Sequence, residues 1–218
     1  MRIEPIGDAA IAITPAPSEF RTPPAAFADA LRRTAHVAVV DILPAFDTVT
    51  VTYDPTAFRP GESPIELLTN WVRRTTTDTP ETQQTPAPPL EFPVRYGGLA
   101  GPDLADVAVT LGMSVDAIIS QHLTAIYTVA AVGFLPGFAY LDGLPAALHV
   151  PRRSTPRTRV PAGSVAIGGP YTGVYPVESP GGWHLIGRTT ATLFDPRDPA
   201  AMRFRVGDRV RFVIEGGR

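Results

Sequence analysis

A chain of 218 residues, 44% hydrophobic and 18% charged, is long and apolar enough to bury a core as one large domain or two small ones, which excludes an intrinsically disordered protein. Cysteine is absent and all 19 basic residues are arginine, so disulfides, zinc–thiolate sites, a thiol nucleophile, Schiff-base chemistry and a true phosphate-loop lysine are excluded. The net charge of −2 is unevenly divided: residues 1–150 hold 8 Arg against 16 acidic residues, net −8, and residues 151–218 hold 11 Arg against 5, net +6.

In chain order, Arg2–Ile13 alternates apolar and polar residues and predicts a strand, and Pro24–Thr34 places Phe27 and Leu31 at helical spacing. Val37–Asp41 and Asp47–Tyr53 predict two further strands, and Ser63–Arg74 a second helix with Ser63 as cap and Pro64 at its first position. The order β-α-β-β-α predicts a small α/β sandwich with an antiparallel sheet over residues 1–78. Residues 75–90 are Thr, Gln and Pro with almost nothing apolar to bury, so 79–90 is assigned as a linker. Residues 91–218 form the second domain. It opens with helices over Pro102–Leu111 and Val115–Leu123, the latter capped by Ser114. Short strands over 126–134, 164–168, 173–177, 183–187, 190–194 and 209–214, separated by Pro/Gly turns, then predict a closed or nearly closed β-barrel. The fold class expected is α+β. The longest uncharged stretch, Leu123–Leu141, is cut by Gly133, Pro136 and Gly137 and reads as a buried strand instead of a membrane span. The N-terminus lacks the apolar run of a signal peptide, which predicts a cytoplasmic location.

Gly182-x4-Gly187-Arg188-Thr189 matches the phosphate-loop pattern except for Arg188. Its flanks argue against that motif. A Pro-Gly turn precedes it, a threonine-rich stretch follows it, and Trp183, Leu185 and Gly187 alternate as in a strand. Ser164 and Ser179 lie outside any GxSxG elbow, and His36, His122, His149 and His184 have no zinc spacing. His122, near a helix C-terminus, reads as an acid or anion anchor charged by the helix dipole, or as a packed interior histidine; His184, beside Trp183, reads the same two ways. The glycine-rich loop Tyr96–Asp103 runs into a helix N-terminus that binds an anion or is capped by Asp103. The segment Gly133–Val160 sets Phe134, Phe138 and Tyr140 on a Pro-Gly loop and follows them with four arginines among prolines, a rigid presentation suited to carboxylate or phosphate. The basic C-terminal third reads as attraction for such anions or as ion pairing with the acidic remainder; no nucleic-acid-reading motif accompanies it, and neither nucleic acid nor membrane is expected as a partner.

Four stretches, Y-G-G-L-A-G-P-D-L (96–104), G-F-L-P-G-F-A-Y-L (133–141), P-R-R-S-T-P-R-T-R-V-P-A-G-S-V-A-I (151–167) and T-G-V-Y-P-V-E-S-P-G-G-W-H-L-I-G-R-T (172–189), resemble one family. It is known as the B subunit of 5-oxoprolinase, as allophanate hydrolase subunit 1, or as the inhibitor of a sporulation histidine kinase, and the resemblance covers nearly the whole chain. It implies an N-terminal α+β domain and a C-terminal cyclophilin-like barrel. It also implies two partners, the C and A subunits of 5-oxoprolinase, in the ATP-dependent opening of 5-oxo-L-proline to L-glutamate, with ATP as co-substrate together with magnesium. On that reading Arg152, Arg157 and Arg188 bind anions, Tyr175, His122 and His184 hydrogen-bond or transfer protons, and Phe134, Phe138 and Trp183 form an apolar wall. The chain departs from the family in carrying Tyr171 where Gln is found before T-G-V-Y-P, and Leu99 where an acidic residue follows Y-G-G. The alternatives are a regulatory module that occupies a sensor histidine kinase, and a component of an allophanate-type hydrolase.

Overall fold

The structure, a computed structural model, describes residues 1–15, 23–34, 36–77, 87–198 and 203–216. Two compact units divide the chain, Met1–Pro86 and Ala87–Arg218, each with its own apolar core. Of the segment read as a linker, 79–86 lies outside the described residues, and Leu90 already opens a strand.

In the first unit the alternation over Arg2–Ile13 is broken by the turn Gly7-Asp8-Ala9, so two strands form where one was expected. These are β1 (Arg2–Ile6) and β2 (Ala10–Thr14), paired antiparallel with Ile6 opposite Ala10. Helix α1 (Pro24–Arg33) follows, then β3 (Val39–Ala45), β4 (Thr48–Tyr53) and α2 (Pro64–Thr77). The sheet runs β1-β2-β4-β3, antiparallel throughout. Ile11 and Ile13 of β2 and Val49, Val51 and Tyr53 of β4 turn one face inward, where Phe27 and Leu31 of α1 and Leu68, Trp71 and Val72 of α2 cover it. Val37, expected to open a strand, is 93% exposed, and β3 begins two residues later.

The second unit is a barrel with two helices. Its elements are β5 (Leu90–Tyr96), α3 (Leu104–Leu111), α4 (Val115–Thr124), β6 (Tyr127–Val132), β7 (Ala139–Asp142), β8 (Arg157–Val160), β9 (Ser164–Gly168), β10 (Tyr171–Val174), β11 (Ser179–Gly181), β12 (His184–Arg188) and β13 (Arg209–Ile214). Seven strands close in the order β10-β7-β6-β13-β5-β12-β9, and β8 pairs with β11 in a separate ladder. Sequence reading misses β5 because Pro93 interrupts it. The proline is accommodated because the β12 ladder reaches β5 only at Arg95 and Tyr96, while the stretch around Pro93 pairs with β13 alone. The strand expected over 190–194 does not form: both edges of β12 are already taken, by β5 and β9, and a closed barrel offers no further edge.

Alternation along the strands separates two apolar layers. Val165 and Ile167 of β9, Val174 of β10, Ala139 and Leu141 of β7 and Ile186 of β12 fill the inside, together with Phe92, Tyr127 and Phe212. Their neighbours Ala166, Tyr140, Tyr171 and Leu185 belong to a second cluster with Phe138, Val160, Tyr175 and Trp183. This second cluster is where the site lies. Among the described residues no single helix is long and apolar enough to cross a membrane.

Candidate functional site

On the outer face of β7, β10 and β12, five aromatic rings meet edge to face. Phe138 lies 5.0 Å from Tyr140, 5.3 Å from Tyr175 and 5.6 Å from Trp183 between ring centroids, and Phe134 completes the group at 5.6 Å. They line a cavity of about 320 Å³, closed on the other sides by Arg152, Arg153, Pro156, Pro180, Gly181 and Gly182. Gly181 is required there, since a Cβ at that position would stand 2.4 Å from the Tyr175 hydroxyl. Phe134 is 61% exposed and held at a φ of 75°, the left-handed region that an aromatic residue rarely adopts. Burial raises the Tyr175 phenol above its ordinary value against the opposing pull of a hydrogen bond from the Trp183 backbone. Tyr175 therefore stays protonated and serves as a hydrogen-bond donor, not as a base.

The cationic side of the cavity comes from the loop between β7 and β8. The Arg153 backbone N–H donates to the Gly182 carbonyl at 2.8 Å, which fastens this loop beside β11. The Arg152 guanidinium lies over the Trp183 ring, 5.9 Å from its centroid, and no carboxylate among the described residues pairs with it. Among the described residues, Asp103 is the carboxylate that meets this loop. It is 3% exposed and accepts from Arg157 Nη1 and Nη2 at 2.9 and 2.6 Å, from Arg153 Nη1 at 3.2 Å and from the Leu185 backbone at 2.7 Å. Burial opposes its ionisation, but the Arg157 hydrogen bonds, the Leu185 N–H and the charges of Arg157 and Arg153 outweigh it and hold the carboxyl below the usual range. Arg152, Arg153 and Arg157 against Asp103 leave the cluster two charges positive.

The family model for the carboxyltransferase domain, subdomain C and D, matches residues 1–203. The chain is 46% identical over 179 residues to the B subunit of 5-oxoprolinase from Escherichia coli O157:H7, covering 80% of this chain and 78% of that protein. It is 40% identical over 218 residues to the B subunit of 5-oxoprolinase from Haemophilus influenzae, covering 99% of each. The chain belongs to the family of 5-oxoprolinase B subunits. Of solved structures, a conserved uncharacterized protein from Pyrococcus horikoshii superposes with a TM-score of 0.57 at 36% identity, covering 98% of this chain and 97% of that one. TTHA0988 superposes at 0.77 with 35% identity over 96% of this chain, which spans only 41% of that longer protein. Urea carboxylase of Kluyveromyces lactis shares the fold at a TM-score of 0.71 and 15% identity, over 97% of this chain and 21% of that protein.

In this member of the 5-oxoprolinase family, the residues singled out from sequence divide into two groups. Phe134, Phe138, Tyr175, Trp183 and Arg152 come together at the cavity. The other four are placed elsewhere or are already engaged. Arg157 does not line the cavity: both of its fork nitrogens are held by Asp103. Arg188, exposed at the end of β12, donates through Nε to the Ala162 carbonyl at 3.1 Å and also lies outside the cavity lining. Strand β12 ends at Arg188 and no helix follows Thr189, so the phosphate-loop resemblance has no structural counterpart.

His122 is a correction of a different kind. It is fully buried, stacked 4.6 Å from Phe212, and burial pushes its pKa down to about 3, so the helix dipole does not keep it charged. Tyr96 donates its hydroxyl to Nδ1 at 2.7 Å, Nε2 donates to Thr172 Oγ1 at 2.9 Å, and Thr172 donates onward to the Ala166 carbonyl at 3.0 Å. This is a satisfied neutral core histidine, out of reach of the cavity. His184 Nε2 donates to the Pro151 carbonyl at 2.9 Å, tying β12 to the residue that opens the arginine loop and leaving Nδ1 a buried acceptor without a partner. Sequence reading named Tyr140 only as a loop aromatic and Asp103 only as a helix cap, and left Arg153 without a role. Arg153 had the same signal as Arg152, whereas the role of Asp103 appears only when residues fifty positions apart meet.

Proposed function

We propose that this chain is the B subunit of an ATP-dependent 5-oxoprolinase, acting with the A and C subunits of that enzyme, and that its cavity holds 5-oxo-L-proline. The observation that carries this reading is the cavity itself: guanidinium groups on one side, aromatic faces on the other, and no carboxylate in the lining among the described residues. A small ring bearing one carboxylate has the matching chemistry. Arg152 and Arg153 take the carboxylate, Phe138 and Trp183 flank the ring, and the protonated Tyr175 hydroxyl donates to the lactam oxygen. The relatives, each named as the B subunit of 5-oxoprolinase, support the same assignment.

A lactam carbonyl is a poor electrophile, which gives ATP its role. Transfer of the terminal phosphoryl group to the lactam oxygen releases ADP and activates the carbon; one water adds there and the ring C–N bond breaks, the nitrogen leaving as the amine and the carbon becoming an acyl phosphate, and a second water then displaces phosphate to give glutamate. Arginines and hydrogen-bond donors favour the negative charge that develops on the oxygens. With no acidic residue in the cavity, magnesium would arrive on the nucleotide or be held by a partner protein. The test is reconstitution of the purified chain with the A and C subunits: 5-oxoproline should stimulate ATP hydrolysis, and Arg152→Gln should lower kcat/KM for 5-oxoproline by at least tenfold. Absence of any 5-oxoproline-stimulated hydrolysis would refute the assignment.

A further inference from the structure

The two motifs Y-G-G-L-A-G-P-D-L and P-R-R-S-T-P-R-T-R-V meet at a single side chain. The first carries Asp103 on a loop pressed against β12: a Cβ at Gly101 would fall 2.0 Å from the Ile186 carbonyl oxygen, and the Asp103 and Leu185 backbones are bonded at 3.0 Å. That close approach brings the carboxylate two residues along β12 from Trp183, a wall of the cavity. There it meets two arginines unequally. Arg157 gives both fork nitrogens; Arg153 gives only Nη1, at the longer distance of 3.2 Å, and its buried Nε–H has no acceptor among the described residues.

We propose that Asp103 is a positioning residue for anion binding in this cavity, which withdraws Arg157 from ligands and leaves Arg153, with Arg152, to receive them. The inequality of the two contacts is the basis. A carboxylate grips a guanidinium best through two parallel N–H bonds, and Asp103 spends that grip on Arg157. Arg153 is anchored by one nitrogen only and lines the cavity. Asp103 also cancels one of three neighbouring positive charges, which lets the arginines stand close together before a ligand arrives. The assignment of 5-oxoproline as that ligand rests on the function proposed above; the division of labour between the arginines does not.

Phenylglyoxal labelling of the full chain, followed by peptide mass mapping, separates the two claims. In the wild-type chain Arg152 should label at least ten times faster than Arg157. Asp103→Asn should bring Arg157 to the Arg152 rate while the near-UV circular dichroism stays native, and Asp103→Glu should restore most of the protection. 5-Oxo-L-proline should slow labelling of Arg152 and Arg153 in the wild type, and Asp103→Asn should require at least tenfold more of it for the same protection. Equal labelling of Arg152 and Arg157 in the wild-type chain would overturn the proposal without any variant. Slow Arg157 labelling with no effect of 5-oxoproline would uphold the positioning role and count against the substrate instead.

Discussion

Removing the charge of Asp103 leaves two guanidinium groups side by side with no counter-ion. Arg157 and Arg153 keep 26% and 31% of their side-chain surface in water, so Asp103→Asn should destabilise the barrel unit by about 2–3 kcal/mol, less than a broken, fully buried pair costs. Equilibrium denaturation checks this. Gly181→Ala acts through space alone: its methyl would displace the Tyr175 ring, and a loss of about 1–3 kcal/mol is expected, with weakened ligand protection in the labelling assay. Arg188→Ala is the contrasting case. The side chain is exposed, makes one bond to a carbonyl and lies outside the cavity, so unfolding free energy should move by no more than about 0.5 kcal/mol and ligand protection should be unchanged.

At the scale of elements, the cavity exists because β7, β10 and β12 each send alternate side chains to opposite faces. Inside, branched residues together with Phe92, Tyr127 and Phe212 fill a seven-stranded barrel; outside, Tyr140, Tyr171 and Leu185 meet the aromatics of the loops beside the β8–β11 ladder. Helix α4 supplies a clean test of local coding. Ser114 Oγ accepts from the Ala117 N–H at 3.1 Å, as its position before the helix predicts, so Ser114→Ala should lower stability by about 1 kcal/mol in denaturant titrations. The same logic was legible for Ser63, whose contact with the Glu66 N–H is longer at 3.4 Å, and for Pro64 at the start of α2. The strands that failed to match their expectations, Arg2–Ile13 and 190–194, failed for non-local reasons or at a turn: hydrophobic alternation reports a half-buried extended segment, but not whether a neighbouring edge is free to pair with it.

At the scale of the whole molecule, acid should act on the barrel unit through two groups in the same direction. His122 has an ordinary pKa of 6.5 that burial lowers to about 3. The unfolded chain therefore takes up a proton below pH 6.5 that the folded chain refuses, and stability is complete above that value and falls by about 1.4 kcal/mol per pH unit toward the folded pKa. Asp103, held below its ordinary 3.8, contributes stability that is present above 3.8 and is lost as pH falls through its folded value. Denaturant midpoints measured from pH 8 to pH 3.5 should be level at the upper end and decline below about pH 6.5. His122→Phe, which keeps a ring against Phe212, should flatten the decline between pH 6 and pH 4; an unchanged slope would mean that another group binds the proton.

Much of this protein was determined by its sequence alone. A β-α-β-β-α order before a Thr/Pro-rich stretch, and two helices followed by many short strands after it, predicted an α+β chain with a barrel. The long motifs carried the family, and the Pro-Gly loop with its aromatics and arginines marked the cavity, because these signals are local: a period, a turn residue, a cluster within thirty positions. What the tertiary structure decided was which charges remain free. Arg152, Arg153 and Arg157 read alike along the chain, and only the approach of Asp103 across the β12 strand commits one of them, engages a second by one nitrogen and spares the third. His122 likewise reads as a helix-end cation or as a packed interior histidine, and the enclosure by Tyr96, Thr172 and Phe212 decides for the second. Burial and partner choice are pairwise properties of residues far apart in sequence, and both set the charge that these side chains carry.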